Sequence, residues 1–277
     1  VGPVCTTGVL RLADGTHVLF KNKDFGRRHL DDRLIVERDV FGVLGMTTWA
    51  GVDPSLDEFS GLSIGANRHG LLCCDSNVLT KDGLENYDVM TEVALREGTD
   101  VRSAAAAVER ACARRETSWG NLVMIDSRTA ASVEIRGRSV VVTELDRATA
   151  RSNHHVVMGE HPSQEDTVTS EPRRVAAQRR LDAATSLDDV FALQRAHDDG
   201  DTGVCNHALH TTVYSYVLTC RAGALELHVA QGQPCRGAPR IQLRVPLGDA
   251  HRAAAVDDFI SRYPSATKHN YATAASR

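Results

Sequence analysis

The strongest constraint on the fold is the way the apolar runs are joined. "VCTTGVLRLADGTHVLFKNKDF" holds two strand-like runs separated by Asp14-Gly15, a dipeptide that supplies the backbone angles of a tight hairpin. "FSGLSIGANRHGLLCCDSNV" repeats the arrangement around Asn67 to Gly70, and "TTVYSYVLTCRAGALELHVAQG" repeats it near Ala222-Gly223. Strands joined this tightly are antiparallel, because a parallel return needs a crossover of a dozen or more residues. "RLIVERDV", "GMTTWAGV", "NLVMIDS", "ASVEIRG", "SVVVTEL", "RSNHHVVMG" and "RIQLRVPL" add further strand-like runs.

Helical spacing occurs in pairs between these strands. "NYDVMTEVALREG" and "DVRSAAAAVERACARR" form one pair, with Asp100 as N-cap of the second. "EPRRVAAQRRLDAATS" and "SLDDVFALQRAH" form the other, with Ser186 as N-cap, and "DAHRAAAVDDFISRY" closes the series. There is no G-x-G-x-x-G, no P-loop and no regular β-α alternation to support a nucleotide fold. The order points to an α+β domain of antiparallel sheets covered by helical layers. No linker divides the chain. Residues 5–264 form the single domain, residues 1–4 are a propeptide remnant or tag remnant, and 265–277 are a polar tail expected to fray.

Composition excludes several partners. With 277 residues, 25% charged and a net charge of −4, nothing calls for nucleic acid or an anionic membrane. No apolar run reaches the roughly 18–20 residues of a membrane span. No basic-then-apolar leader is visible. The seven cysteines are an odd number in a chain too large to need disulfide staples. The reading is therefore a cytoplasmic protein with reduced thiols, and homo-oligomerisation is left open.

Cys5 raises the chemical question. A thiol attacks carbonyls as its thiolate, and its free pKa is about 8.5. A chain's own α-amino group, with a pKa of about 7.7–8.0, can take the proton from a nucleophile on the same residue. A cut between Val4 and Cys5 would create that group. The bland alternative is a cysteine packed in a core.

Several separate stretches bear on the choice: "CTT" from Cys5, "FKNKDF", "GANRHGLLCCDSNV", "RSNHHV" and "GVCNHALHTTVYSYVLTCRAGALELHVAQGQPC". In this order and spacing they resemble the N-terminal-nucleophile hydrolases. The resemblance is to the acyl-coenzyme A:6-aminopenicillanate acyltransferase group and its C45 peptidase relatives, and more distantly to the choloylglycine hydrolases and penicillin V acylases. It implies a four-layer αββα sandwich with the active site at one end of the sheets.

The resemblance also implies roles. Cys5 forms a thioester acyl-enzyme, and its freed amine serves as base and then acid. Asp24 holds that amine. Asn153 and Asn77 face the developing oxyanion. Lys21 stands where the hydrolase branch has Arg and the acyltransferase branch has Gln, beside the thiol. His154 and Lys21 are the candidate substrate contacts, since adjacent strand residues such as His154 and His155 point to opposite faces. Val4 stands where the acyltransferase branch commonly has Gly, and its branched side chain crowds the scissile carbonyl. The implied reaction cleaves a linear amide of a small N-acyl compound, or transfers its acyl group to another amine, with no cofactor.

Two alternatives stand beside this. One is a zinc-dependent hydrolase or zinc-stabilised binding domain using His154, His155, Cys205, His207 and His210. Their spacing matches no familiar zinc ligand set, and no metal ligand is assigned. The other is a non-catalytic relative that keeps Val1 to Val4. Glu134, in "SVEIRG", has no assigned role and fits a solvent-facing strand position equally well.

Overall fold

The hairpins close where their turn residues require. At Ala222 and Gly223 the φ angles are 49° and 81°, the paired left-handed conformations that match strand twist. The turn joins β11 (Thr211–Arg221) to β12 (Ala224–Gln231). The computed structural model describes residues 4–26, 31–46, 58–159, 164–198, 200–265 and 271–272.

A six-stranded sheet has the order β10-β1-β2-β11-β12-β13, and an eight-stranded sheet the order β14-β3-β4-β5-β6-β7-β8-β9. In the first, β1 (Val4–Arg11) and β2 (His17–Phe25) are central, flanked by β10 (Thr149–Arg151) and β11, with β13 (Ile241–Arg244) at the far edge. The second runs from β3 (Leu34–Val36) through β4 (Val40–Met46), β5 (Phe59–Asn67), β6 (Leu72–Leu79), β7 (Thr117–Ile125) and β8 (Ala130–Gly137) to β9 (Ser139–Glu144). Among the described residues, every pairing between named strands is antiparallel except at the edge, where β14 (Tyr271–Ala272) runs parallel to β3. That short strand lies in the tail expected to fray.

Alternation along β1 and β2 builds two separate cores. Val9 and Leu19 face the other sheet with Phe41, Ile64, Leu72, Val123, Leu218 and Leu227. Leu10, Val18 and Phe20 face the opposite way, against Ala177 and Leu181 of α3 (Gln164–Asp182) and Val190 and Leu193 of α4 (Leu187–Gln194). The outer face of the larger sheet packs on Met90 and Leu95 of α1 (Asp88–Glu97) and Ala104 and Val108 of α2 (Val101–Arg114). The layers are thus helices, sheet, sheet, helices, as expected. Asp100 and Ser186 each form a capping box, which satisfies amide groups a helix start leaves unpaired. α5 (Ala253–Arg262) places Phe259 at the edge of the inter-sheet core.

Three expectations change. The strand expected from Arg151 to Gly159 ends at Arg151, because the amides that follow bond to side chains instead of a neighbouring strand. α3 begins at Gln164 and carries Pro172 inside it, so the proline interrupts a helix rather than starting one. Of the run Gly45 to Val52, Gly45 and Met46 belong to β4, and the rest lies outside the described residues.

Candidate active site

Register places Cys5 opposite Lys23, Val4 opposite Asp24 and Thr7 opposite Lys21. Paired residues share a face of the sheet, and neighbours along a strand alternate. Cys5, Lys21 and Lys23 therefore point between the sheets, while Val4, Thr6, Asn22 and Asp24 point toward the α3–α4 layer. The thiol and the backbone of Cys5 meet two different groups of side chains.

On the thiol side the cation is Lys21. β5 and β6 pair only from Ile64–Ala66 to Leu72–Cys74. Where they separate, the Lys21 ammonium enters the fork. It donates to the Ser63 carbonyl at 3.1 Å, Ser63 Oγ at 2.6 Å, the Asp75 carbonyl at 2.8 Å and Asp75 Oδ1 at 2.8 Å. Burial is the largest influence and opposes that charge, but Asp75, Cys5 and Cys74 together outweigh it and hold Lys21 above its usual range. The ammonium is committed to four oxygens while its field still reaches Cys5.

Cys5, Lys21, Lys23, Phe25, Met46, Ser63, Asp75, Tyr87 and Asp88 border a cavity of ≈ 10 Å³, about the room of one water. Asp88, at the start of α1, presses against Gly45, where a Cβ would collide with its carboxylate. Burial and the adjacent Asp75, to which it is hydrogen-bonded, push Asp88 well above the carboxylate range. Lys23 pairs with Asp32 at 3.1 Å.

On the backbone side, the Cys5 amide donates to Asn153 Oδ1 at 3.0 Å. Arg173, fully buried on α3, donates through Nη2 to the same oxygen at 2.8 Å and through Nη1 to the Cys5 carbonyl at 2.8 Å. Asn153 Nδ2 donates to the Asn77 carbonyl at 2.8 Å. The Asn153 oxygen thus faces Cys5, and its amide N–H₂ is engaged elsewhere. The turn bearing Asn153 is fastened from both sides. Asn121 of β7 donates to the Ser152 and His154 carbonyls at 3.0 and 3.1 Å, and Ser170 Oγ of α3 accepts from the Asn153 amide at 2.8 Å.

Asp24 is fully buried. Its partner comes from an irregularity in β11 between Thr212 and Tyr214. That shift turns Thr212 toward the helix layer, where its hydroxyl donates to Asp24 Oδ1 at 2.7 Å. Oδ2 has no hydrogen-bond partner among the described residues. Burial pushes Asp24 from the ordinary 3.8 to about 7, against the pull of Arg173, Thr212, Asn206 and Lys21. Burial likewise pushes the Cys5 thiol up to about 11, with Lys21 opposing and the carboxylates of Asp24 and Asp75 adding to the rise. A thiol in this state needs a base to react at neutral pH.

Cys5, Lys21, Asp24, Asn153 and Asn77 therefore come together. His154 does not border the cavity. Its Nδ1 lies 2.7 Å from Ser170 Oγ. His155 stacks on Trp119 with ring centroids 5.9 Å apart. Glu134 does not face solvent. It is 1% exposed and its carboxylate accepts from the amides of Val156, Val157 and Met158 at 2.7–3.1 Å. Those are the amides that would otherwise have extended β10.

Sequence reasoning missed Arg173, Asp75 and Asp88. An arginine within a polar helix carries no local sign of burial. Asp75 lies within the "CCDSN" stretch and could have been suspected as a lone carboxylate in an apolar strand. The histidine and cysteine ligand set also differs from expectation. Cys205 and His207 do come together, but with His197 and Cys235 rather than His154, His155 or His210.

No protein-family model matches the sequence, and no curated protein matches it. Among solved structures, the chain is similar to penicillin V acylase from Agrobacterium tumefaciens, at 13% identity over 87% of this chain and 86% of that chain, with a TM-score of 0.54. It is also similar to a mutant form of conjugated bile acid hydrolase from Clostridium perfringens, at 10% identity over 87% and 92% of the two chains, with a TM-score of 0.48. At these identities the likeness is one of fold. The first match supports the αββα layering.

Proposed function

We propose that the chain is a cysteine N-terminal-nucleophile amidohydrolase or acyltransferase, matured by cleavage between Val4 and Cys5. The observation that carries this reading is Asp24. It is a fully buried carboxylate whose Oδ2 has no close hydrogen-bond partner among the described residues, opposite Val4 in the register. A buried acceptor without a partner is costly. An α-ammonium formed at Cys5 is a cation of the right charge in the right place to supply that partner.

The proposed steps follow from this placement. The free amine of Cys5, oriented by Asn153 Oδ1 and Asp24, takes the thiol proton. Sγ attacks the amide carbonyl, and the amine then returns the proton to the leaving amine, leaving a thioester. Water or a second amine resolves it. Lys21 acts through its field on the thiolate rather than as a direct substrate contact. We assign Asn153 to orienting the amine and Asn77 to the oxyanion.

The substrate class is a small N-acyl compound with a linear amide. The kinship to the acyltransferase and C45 group belongs to this proposal, as does the thioester. The name of the similar penicillin V acylase fits amide chemistry of this kind. The test is Cys5→Ala. It should fold as the parent does and lose both processing and turnover. Turnover surviving in this variant would overturn the assignment.

A further inference from the structure

The second cluster of reactive side chains lies in the helix-side loops. His197 follows α4, Cys205 and His207 lie in the segment before β11, and Cys235 lies in a single 3₁₀ turn, Pro234–Arg236. One ligating atom from each residue falls within 4.8 Å of every other. His207 Nε2 is 3.6 Å from Cys205 Sγ and 3.0 Å from Cys235 Sγ. The His197 and His207 rings are 4.7 Å apart.

We infer that His197, Cys205, His207 and Cys235 form a tetrahedral Cys₂His₂ site for a zinc ion. Zn–S and Zn–N bonds of about 2.3 and 2.0–2.1 Å give a tetrahedron with edges of roughly 3.3–3.8 Å. The separations here are within about 1 Å of those edges. Two thiolates, two neutral imidazoles and a divalent ion sum to no net charge, and binding releases the two thiol protons. His197 Nδ1 lies 3.2 Å from the Gly200 carbonyl. As a donor there it leaves Nε2 as the free lone pair, the outer-shell arrangement usual for a metal-bound histidine.

Mixed sulfur and nitrogen ligands in a tetrahedron select zinc over hard cations. All four positions are filled by protein, so no position is open for a reactive water. The ion is structural and does not compete with Cys5 for the chemistry. It pins the end of α4 and the turn after β12 to the segment holding Asn206. The Asn206 amide donates to Thr212 Oγ1 at 2.9 Å, and that hydroxyl donates to Asp24.

The test is metal analysis of the full chain, expressed with zinc and desalted under reducing conditions. We expect about one zinc per chain, released when a mercurial titrates the thiols. Cobalt in its place should give tetrahedral d–d bands with thiolate charge transfer. Cys235→Ser and the surface substitution His197→Ala should each lower zinc retention at least tenfold, while Cys5→Ala retains it in full. A folded parent that takes up neither zinc nor cobalt in stoichiometric amount would overturn the site. So would uptake unchanged in both ligand variants, or a Cys205–Cys235 disulfide under reducing handling. The Cys5→Ala arm separates this result from the fate of the nucleophile reading.

Discussion

The side-chain oxygen of Asn153 accepts a hydrogen bond from the backbone nitrogen of Cys5 at 3.0 Å, across 148 positions of sequence. That oxygen also accepts from Arg173 at 2.8 Å. The nitrogen proposed to become the catalytic amine is therefore already oriented, by a buried asparagine that a guanidinium holds in place.

Arg173 should be the most sensitive of these supports. Arg173→Met removes donors to the Cys5 carbonyl, Thr6 and Asn153. It also removes a positive charge that restrains Asp24. Hydrogen bonds from a charged donor contribute about 1.5–3 kcal/mol each, so a loss of about 3 kcal/mol or more in urea denaturation is expected. A change below about 0.5 kcal/mol, the range of an ordinary surface substitution, would show that these contacts carry no weight.

Lys21 and Asp75 form a pair whose two side chains are 1% and 3% exposed. Lys21→Met strands the carboxylate and should destabilise by about 3–5 kcal/mol. The double variant Lys21→Met, Asp75→Leu should recover much of that loss, because neither charge then stays buried alone. Thermal or urea unfolding of Lys21→Met, Asp75→Leu and the double variant reads the coupling. Additive losses would mean that the two groups act independently.

Asp24 sets a pH dependence while Val4 remains attached. Its folded pKa of about 7 lies above the ordinary 3.8, so between these values the unfolded chain has released a proton that the folded chain keeps. This contribution to stability is complete below pH 3.8, falls as pH rises, and is lost above about 7. The full effect is on the order of 4 kcal/mol. Relative to the parent, Asp24→Asn should gain stability from pH 5 to pH 8 in urea denaturation. After removal of residues 1–4 the new ammonium pairs with Asp24, and that relative gain should shrink. An identical pH profile in parent and variant would contradict the buried titration.

The fold was legible because its signals are local. Asp14-Gly15 and Ala222-Gly223 announce hairpins, and Asp100 and Ser186 announce helix starts. That Cys5, Asp24, Asn77 and Asn153 would lie near one another was expected from the family resemblance of the stretches that carry them. What stayed hidden depends on contacts between distant segments. Glu134 looks like any strand carboxylate until the amides of Val156 to Met158 fold onto it. Arg173 reads as solvated because burial of a helix face depends on the sheet beneath it. The union of His197 with Cys235 comes from two turns that share no sequence spacing.

The most direct measurement is intact-mass and peptide analysis of the chain after incubation with an N-acyl substrate and an acid quench. The account expects a chain that begins at Cys5 and carries the substrate's acyl group on the Cys5 sulfur, released by neutral hydroxylamine. A chain that hydrolyses the amide while residues 1–4 remain attached would contradict it.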